Sequence, residues 1–180
     1  SGLTNISLIK SSEEIDGKSV PCDGQLYYRG YNIFDLVSGF RKDGRFGFDE
    51  CAYLLLFGNL PNADELFEFK KALGYSMSLP TNFVRDVIMK APSPDIMNKL
   101  SRSVLALYSY DSNPDDTSIE NVLRQCIHLI AQIPAIMVYA YQVKRRHYYR
   151  KSMYIHPMKP EHRTAETIIR SIRANKTFTD

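Results

Sequence analysis

The sequence lacks tryptophan and holds only three cysteines among its 180 residues. Cys22, Cys51 and Cys126 are odd in number and widely spaced, and they form no C-x-x-C pair. This excludes a zinc ribbon and a thioredoxin-type redox site, and it argues against a disulfide scaffold. We therefore expect reduced thiols and a cytoplasmic protein, with Cys51 and Cys126 as small core side chains.

Long apolar runs are also missing. No uninterrupted apolar stretch approaches the roughly 18 residues that a membrane span needs, and no basic flank precedes an apolar stretch near the first residues. Glycine and proline number only nine each, which excludes collagen-like and low-complexity classes. With 44% apolar and 24% charged residues, the composition is that of a globular protein without a membrane partner.

Catalytic and metal-binding signatures are absent from the sequence as well. It contains no H-E-x-x-H, no G-x-S-x-G and no phosphate-binding G-x-x-x-x-G-K-[ST] motif. Of the four histidines, His128, His147, His156 and His162, only His162 has a possible co-ligand four residues away, in Glu166. Two ligands do not make a metal site, so we predict a polar pair and no metal.

Positive charge is concentrated in one segment. The net charge is +3, yet the first ninety residues hold 10 cationic against 12 acidic side chains and the last ninety hold 13 against 8. Most of the excess lies in residues 144–151. Such a run suits nucleic acid or an anionic cofactor, but cations also favour the C-terminal end of a helix dipole. We favour the solvated helix end and predict no nucleic-acid partner.

The pattern predicts a small hairpin followed by helices. In residues 1–31, the pairs Asp16-Gly17 and Asp23-Gly24 predict turns around short strands. Downstream, caps, glycines and prolines predict a mainly α fold with about seven helices and no larger sheet. The expected helices run from Asn32 to Gly39, Phe48 to Phe57, Asn62 to Met77, Pro80 to Lys90, Ser93 to Tyr108, Thr117 to Tyr148 and Thr164 to Arg173. The expected N-caps are Asn32, Asn62 (capping box with Glu65), Ser93, Thr117 (capping box with Glu120) and Thr164.

The longest of these predicted helices contains a proline. Pro134 removes one backbone hydrogen bond, so the sequence predicts either a kink or two abutting helices there. The apolar density on both sides of Pro134 predicts the most buried element of the fold. The organisation we expect is a hairpin lead-in over residues 1–31 and one helical domain over residues 32–180.

Several stretches, in order and in register, resemble the citrate synthase family. Residues 15–17 and 24–33 resemble its I-D-G and G-x-L-x-Y-R-G-Y-x-I hairpin, and residues 48–61 resemble F-E-E-V-A-Y-L-L-x-x-G-x-L-P. Residues 129–136 resemble L-I-A-x-x-P-x-I, proline included, with further matches at 65–69, 79–80 and 105–108. The resemblance implies the first part of a large helical domain that works as a homodimer.

The implied reaction condenses acetyl-CoA with oxaloacetate to citrate and CoA, a step of the tricarboxylic acid cycle. In the family, a carboxylate removes a methyl proton, histidines stabilise the enol and polarise the ketone, and arginines hold the oxaloacetate carboxylates. Acetyl-CoA is then a substrate of the parent enzyme, and no cofactor is expected on this fragment. The cofactor-binding residues stay unassigned.

The catalytic motifs of the family lie beyond the matched region. Its H-x-x-H helix, its H-G-G-x-N-like turn and its catalytic Asp all follow the stretch that ends near Asp180. No histidine of this chain matches them, and His156-Pro157-Met158 lies in a different loop from the family's H-P-M, where Pro94 to Met97 stand instead. We therefore assign no catalytic residue here and expect the isolated fragment to be inactive and to self-associate through its helix faces.

Three alternatives stay open at this point. A 2-methylcitrate synthase differs from a citrate synthase in its acyl-CoA pocket, most of which this segment does not contain. A stand-alone interaction module could keep the scaffold without the chemistry. A nucleic-acid-binding module that uses residues 144–151 would show binding that weakens steeply with salt.

Overall fold

The computed structural model describes residues 4–178, and its chain forms two compact units, residues 1–69 and 70–180. The predictions for residues 1–3 and 179–180 lie outside the described residues. The first unit contains β1 (Ser7–Ile15), β2 (Lys18–Tyr28), β3 (Tyr31–Asn32), α1 (Ile33–Lys42), α2 (Phe48–Phe57) and the start of α3 (Ala63–Ser76). The second contains a π-helical segment (Val84–Met89), α4 (Ile96–Leu107), a 3-10 turn (Tyr108–Tyr110), α5 (Ile119–Tyr149) and α6 (Thr164–Ile172). The predicted class, mainly α with an N-terminal hairpin, is confirmed.

The strands form one antiparallel sheet in the order β1-β2-β3. Asp16 and Gly17 close the hairpin with φ angles of 51° and 72°, as a two-residue turn of this hand requires. The turn predicted at Asp23-Gly24 is wrong. These residues lie inside β2, where the register shifts opposite Lys10 to Ser12, so they form an irregularity of the ladder and not a chain reversal.

Two helix ends in the first unit follow their sequence predictions closely. The side chain of Asn32 accepts a hydrogen bond from the Phe34 amide at 2.9 Å and caps α1. Helix α2 ends at Gly58, whose φ of 89° lets its amide reach the Leu54 carbonyl at 2.9 Å. The stop predicted at Gly39 is wrong, because α1 continues to Lys42 and the left-handed glycine is Gly44.

The core of the first unit is small. Leu36, Phe40 and Leu54 are its buried members, and the half-buried Cys51 packs against them. Burial raises the pKa of the Cys51 thiol. At Gly47 the backbone passes so close to the Phe40 ring that a Cβ would lie 2.1 Å from it, which explains the glycine.

Helix α5 is the centre of the second unit and contributes more buried residues than any other helix. It is continuous through Pro134, which excludes the two abutting helices and leaves the kink as the other half of the sequence prediction. The fully buried amide of Gln142 donates to the carbonyl of Ile172 at 3.0 Å and accepts from the Tyr154 amide at 3.3 Å. The core around α5 consists of Phe83, Ile88, Ala135, Ile136, Val138, Tyr139, Ala140 and Val143.

The predicted caps of this unit are displaced. Asp95 caps α4 and Ser118 caps α5, where Ser93 and Thr117 were expected. Ser93 instead accepts from the Asp95 amide at 3.2 Å, so it shapes the turn that precedes the helix. Thr164 is the first helical residue of α6 and not its cap. Of the helix predicted from Pro80, only the π-helical segment from Val84 forms.

By length and composition alone, α5 could also cross a bilayer, although no continuous apolar run predicted it. Half of its most apolar 18-residue window is buried inside the protein. Core helices of soluble proteins share this composition, so the helix gives little support to a membrane location.

Candidate functional site

An open cavity of about 650 Å³ lies beside α4, the 3-10 turn and the first half of α5. Its size falls in the range of small-molecule sites. Its walls are mostly apolar and aromatic, with a cluster of polar groups from α5 and from the loop that precedes it. The lining includes Pro80, Leu105, Leu107, Tyr108, Tyr110, Asp111, Arg124, Gln125, His128 and Gln132.

The cation of this cavity is neutralised within the fold. The Arg124 guanidinium donates to both carboxylate oxygens of Asp111, at 2.7 and 2.9 Å, and Gln125 donates to the same carboxylate at 3.2 Å. The backbone amide of Asn113, and then the guanidinium of Arg124, hold the pKa of Asp111 below its ordinary value. Arg124 also contacts the side-chain oxygen of Asn121, which fixes its position.

A tyrosine at the rim is held in a similar way. The Tyr108 hydroxyl donates to both carboxylate oxygens of Asp115, at 2.8 and 2.9 Å, and this bond raises the pKa of the phenol. Tyr108 is therefore a positioned hydrogen-bonding group and not a base. The cavity can hold a polar group against an apolar wall, but its charges are already balanced.

The histidines do not form an acid–base constellation. His128 lines the cavity, His147 lies at the end of α5, and the Nε2 atom of His156 lies 3.0 Å from the Arg173 carbonyl. Between residues 4 and 178, no histidine contacts a carboxylate within hydrogen-bond distance, and no three candidate ligands cluster as a metal site would. Glu166, paired with His162 in the sequence prediction, accepts a hydrogen bond from Arg170 at 2.8 Å. Although burial alone would raise the pKa of Glu166, Arg170 and then the nearby His162 hold it below its ordinary value.

A second opening of about 470 Å³ lies near the C-terminal end of α5. We name it the basic groove and define it by its lining: Met89, Pro92, Val143, Arg146, His147, Arg150 and Met153. It falls on the basic run, which the structure places, as predicted, at an exposed helix C-terminus. The pattern revealed the charge but not the concavity, because Met89 and Pro92 come from a distant part of the sequence.

The buried cation of this unit is a lysine that the sequence analysis missed. Lys99 on α4 is 3% exposed, and its ammonium donates to the carbonyl oxygens of Val87 and of Ala91, the latter at 2.9 Å. Burial lowers its pKa. Lys99 thereby holds the chain around Met89 and Pro92, which form one wall of the basic groove.

Comparison with known proteins gives one consistent result. The family model described as "Citrate synthase, C-terminal domain" matches residues 1–179. A citrate synthase of Saccharolobus solfataricus is 30% identical over 145 residues, which are 79% of this chain and 35% of that protein. The 2-methylcitrate synthase 1 of Corynebacterium glutamicum is 29% identical over 129 residues, which are 72% of this chain and 32% of that protein.

A solved structure shares the fold. The crystal structure of citrate synthase from Pyrobaculum aerophilum aligns with a TM-score of 0.73 at 22% identity, over 98% of this chain and 41% of that one. The chain thus spans about a third of the length of the curated relatives it matches.

Proposed function

Because the chain belongs to the citrate synthase family, we propose that it is part of an enzyme that condenses an acyl-CoA with oxaloacetate. The observation that carries this proposal is the family match over residues 1–179, which agrees with a fold shared over nearly the whole chain. Acetyl-CoA and oxaloacetate are the substrates that the family implies. The cytoplasmic location and a place in the tricarboxylic acid cycle belong to the same proposal.

In this proposal the chain supplies the helical frame and not the reacting groups. The only histidine that lines the cavity, His128, has no carboxylate partner among residues 4–178, and Arg124 is engaged by Asp111. Proton removal from an acyl methyl group needs a positioned base, and oxaloacetate needs unpaired cations. We therefore assign these roles to segments of the complete enzyme other than residues 1–180. The isolated chain should not turn over substrate.

The test begins with the gene. The reading frame is sequenced on both sides of this segment, and the complete product is assayed for oxaloacetate-dependent release of free CoA. Turnover by the complete product, with none from the 180-residue chain, would support the proposal. A complete product that folds but releases no CoA would refute it and favour the interaction-module alternative.

A 2-methylcitrate synthase is the second candidate, because relatives of that name match at the same level of identity as citrate synthases. The acyl group decides between them. The same assay with propionyl-CoA in place of acetyl-CoA measures the ratio of the two kcat/KM values. A ratio above one for propionyl-CoA assigns the methylcitrate reaction, and a ratio below one assigns the citrate reaction.

We also propose that a second copy of the chain covers the exposed apolar side chains of α4 and of the start of α5. Met97 is 69% exposed, Leu105 75% and Ile119 86%, which is unusual for large apolar groups on adjoining elements. A homodimer through this face agrees with the resemblance. Sedimentation velocity should show a dimer that Leu105→Glu weakens at least tenfold, while the matched change Lys151→Glu leaves it intact. A monomer at every concentration would contradict this.

A further inference from the structure

The basic groove combines two arginines and a histidine with an apolar part of its lining. Arg146, His147 and Arg150 stand within one turn of α5 and its cap, and no acidic residue contributes to the lining. The apolar part of the lining consists of two methionines, a proline and a valine, namely Met89, Met153, Pro92 and Val143. A ligand that matches this surface carries an anionic group on a small apolar body.

The two guanidinium groups of the groove are unpaired. Neither Arg146 nor Arg150 has an ion-pair partner in the part of the chain that the structure describes. Residues four apart on a helix are neighbours, and like charges at that spacing repel each other. Neighbouring cations of the same run are engaged differently, since Lys144 and Arg145 lie over tyrosine rings. An anion between Arg146 and Arg150 would relieve their repulsion.

The backbone at Arg150 is strained in a way that benefits the groove. Arg150 ends α5 with φ 56° and ψ 25°, a left-handed conformation that a glycine adopts at much lower cost. The amide of Lys151 bonds the Arg145 carbonyl at 3.1 Å, which closes the helix end around it. Strained positions of this kind cluster at ligand sites. Here the strained position keeps a second guanidinium group at the groove.

The opposite wall is held by hydrogen bonds and does not depend on the ligand. The Tyr148 hydroxyl donates to the Pro92 carbonyl at 3.4 Å, and the buried ammonium of Lys99 holds the Ala91 carbonyl at 2.9 Å. The segment that carries Met89 and Pro92 is therefore fixed against α4 and α5. The groove is a preformed concavity, and preformed sites lose less conformational entropy on binding.

We propose that the basic groove binds a small organic phosphate. The two guanidinium groups match the geometry of phosphate oxygens, and the His147 ring offers a further nitrogen donor. The apolar body of the ligand lies against Met89 and Met153, whose flexible thioethers adapt to its shape. The volume of about 470 Å³ accommodates a small molecule. This inference does not depend on the proposed enzymatic function.

The test is a titration of the ¹⁵N-labelled chain with phenyl phosphate, which joins a phosphate dianion to a flat apolar ring. Inorganic phosphate and phenol serve as the two component probes. We expect phenyl phosphate to bind at least tenfold more tightly than either component, with amide shifts at Arg146, His147 and Arg150 and methyl shifts at Met89 and Met153. Shifts elsewhere and none at these residues would overturn the proposal.

Two substitutions distinguish specific binding in the groove from a general attraction of the anion to positive charge. Arg146→Gln removes one cation that lines the groove, and Lys151→Gln removes one from the same run outside the lining. We expect at least a tenfold loss of phenyl phosphate affinity for the first and less than twofold for the second. Equal losses would overturn the proposal. Arg146→Lys keeps the charge without the planar fork and should lose affinity to an intermediate degree.

The same titrations include two controls, one for loss of the native fold and one for nucleic-acid binding. The amide spectrum around the fully buried Ile136 reports whether a variant keeps the native core. A single-stranded RNA is titrated in parallel. One outcome is that RNA binds, displaces phenyl phosphate and loses affinity equally in Arg146→Gln and Lys151→Gln. In that case residues 144–151 are a nucleic-acid surface, and the proposal is wrong. No step uses acyl-CoA or turnover, so failure here is distinct from failure of the proposed function.

Discussion

The two openings along α5 contain similar residues and yet differ in how their charges are balanced. Each has an arginine of α5 and a histidine of α5 in its lining. In the cavity, Asp111 neutralises Arg124 through a two-point contact. In the basic groove, Arg146 has no such partner among residues 4–178. The comparison shows that the segment packed beside a helix, more than the helix itself, decides whether a cation is structural or available to a ligand.

The neighbouring segments explain the difference. The loop before α5 supplies three carboxylates, from Asp111, Asp115 and Asp116. The first two bond Arg124 and Tyr108 of the cavity lining, and Asp116 bonds Ser118 at the start of the helix. The loop after α5 contains one acidic residue, Glu161, and that residue pairs with Lys159 at 3.7 Å. The acid-rich loop therefore neutralises the cation at one end of the helix. The loop at the other end has too few carboxylates to neutralise the arginines of the basic groove.

The largest effect should come from the core that both openings share. Ile136 lies on α5 between them and is fully buried. Ile136→Ala should lower the free energy of unfolding by about 2–5 kcal/mol, because it removes buried methyl groups and leaves a cavity. Urea unfolding followed by circular dichroism measures this. The partly exposed Val122 offers a control on the same helix, since Val122→Ala should cost far less. Equal costs would show that α5 is not the packed centre of this unit.

A smaller effect should follow from removing the charge balance of the cavity. Asp111→Asn keeps the shape of the side chain but loses the carboxylate that faces Arg124, and the partly exposed pair should contribute about 0.5–1 kcal/mol. The freed guanidinium should then draw phenyl phosphate into the cavity, with new amide shifts at Gln125 and His128. No new shifts in this variant would contradict the view that the missing acid is what opens the basic groove to anions.

The pH dependence of the same variant supplies a second readout. The folded-state pKa of Asp111 is lowered, so its contribution to stability is present above the ordinary carboxyl pKa of about 3.9 and is lost as pH falls through the lowered value. Asp111→Asn should therefore flatten the acid limb of the stability curve and leave the neutral region parallel to that of the unchanged chain. Asp23→Asn, an exposed position in β2, serves as the control that should keep the acid limb.

Local chemistry explains which parts of the fold were predictable from sequence. Helix α2 was predicted from Phe48 to Phe57 because Gly58 supplies the left-handed stop within one turn. The capping box at the start of α3 was predicted because Asn62 and Glu65 complete it reciprocally, at 2.8 and 2.9 Å. In both cases, all of the atoms that decide the structure lie within five residues of one another.

The errors arise where neighbouring side chains compete for one role. Near α5, Thr117 and Ser118 are both able to cap, and Asp116 selects Ser118 by accepting its amide at 2.9 Å. Near α4, Asp95 caps by accepting the Asn98 amide at 3.1 Å, while Ser93 accepts the amide of Asp95 at 3.2 Å. The sites were less predictable still. The Arg124–Asp111 pair joins residues 13 apart across a loop, and the basic groove needs Met89 beside Arg150, which only tertiary packing provides.

The smallest effect is also the most specific, because stability and binding should move in opposite directions. Arg150→Gly replaces a left-handed arginine by the residue that tolerates this conformation, so it should stabilise the chain by up to about 1 kcal/mol after the greater flexibility of unfolded glycine is counted. It also removes one cation of the basic groove and should weaken phenyl phosphate binding at least fivefold. Arg150→Gln keeps the backbone strain and removes the same charge, so it should lose binding without gaining stability. A glycine variant that gains no stability, or that binds as tightly as the unchanged chain, would show that the strain at Arg150 does not serve a ligand.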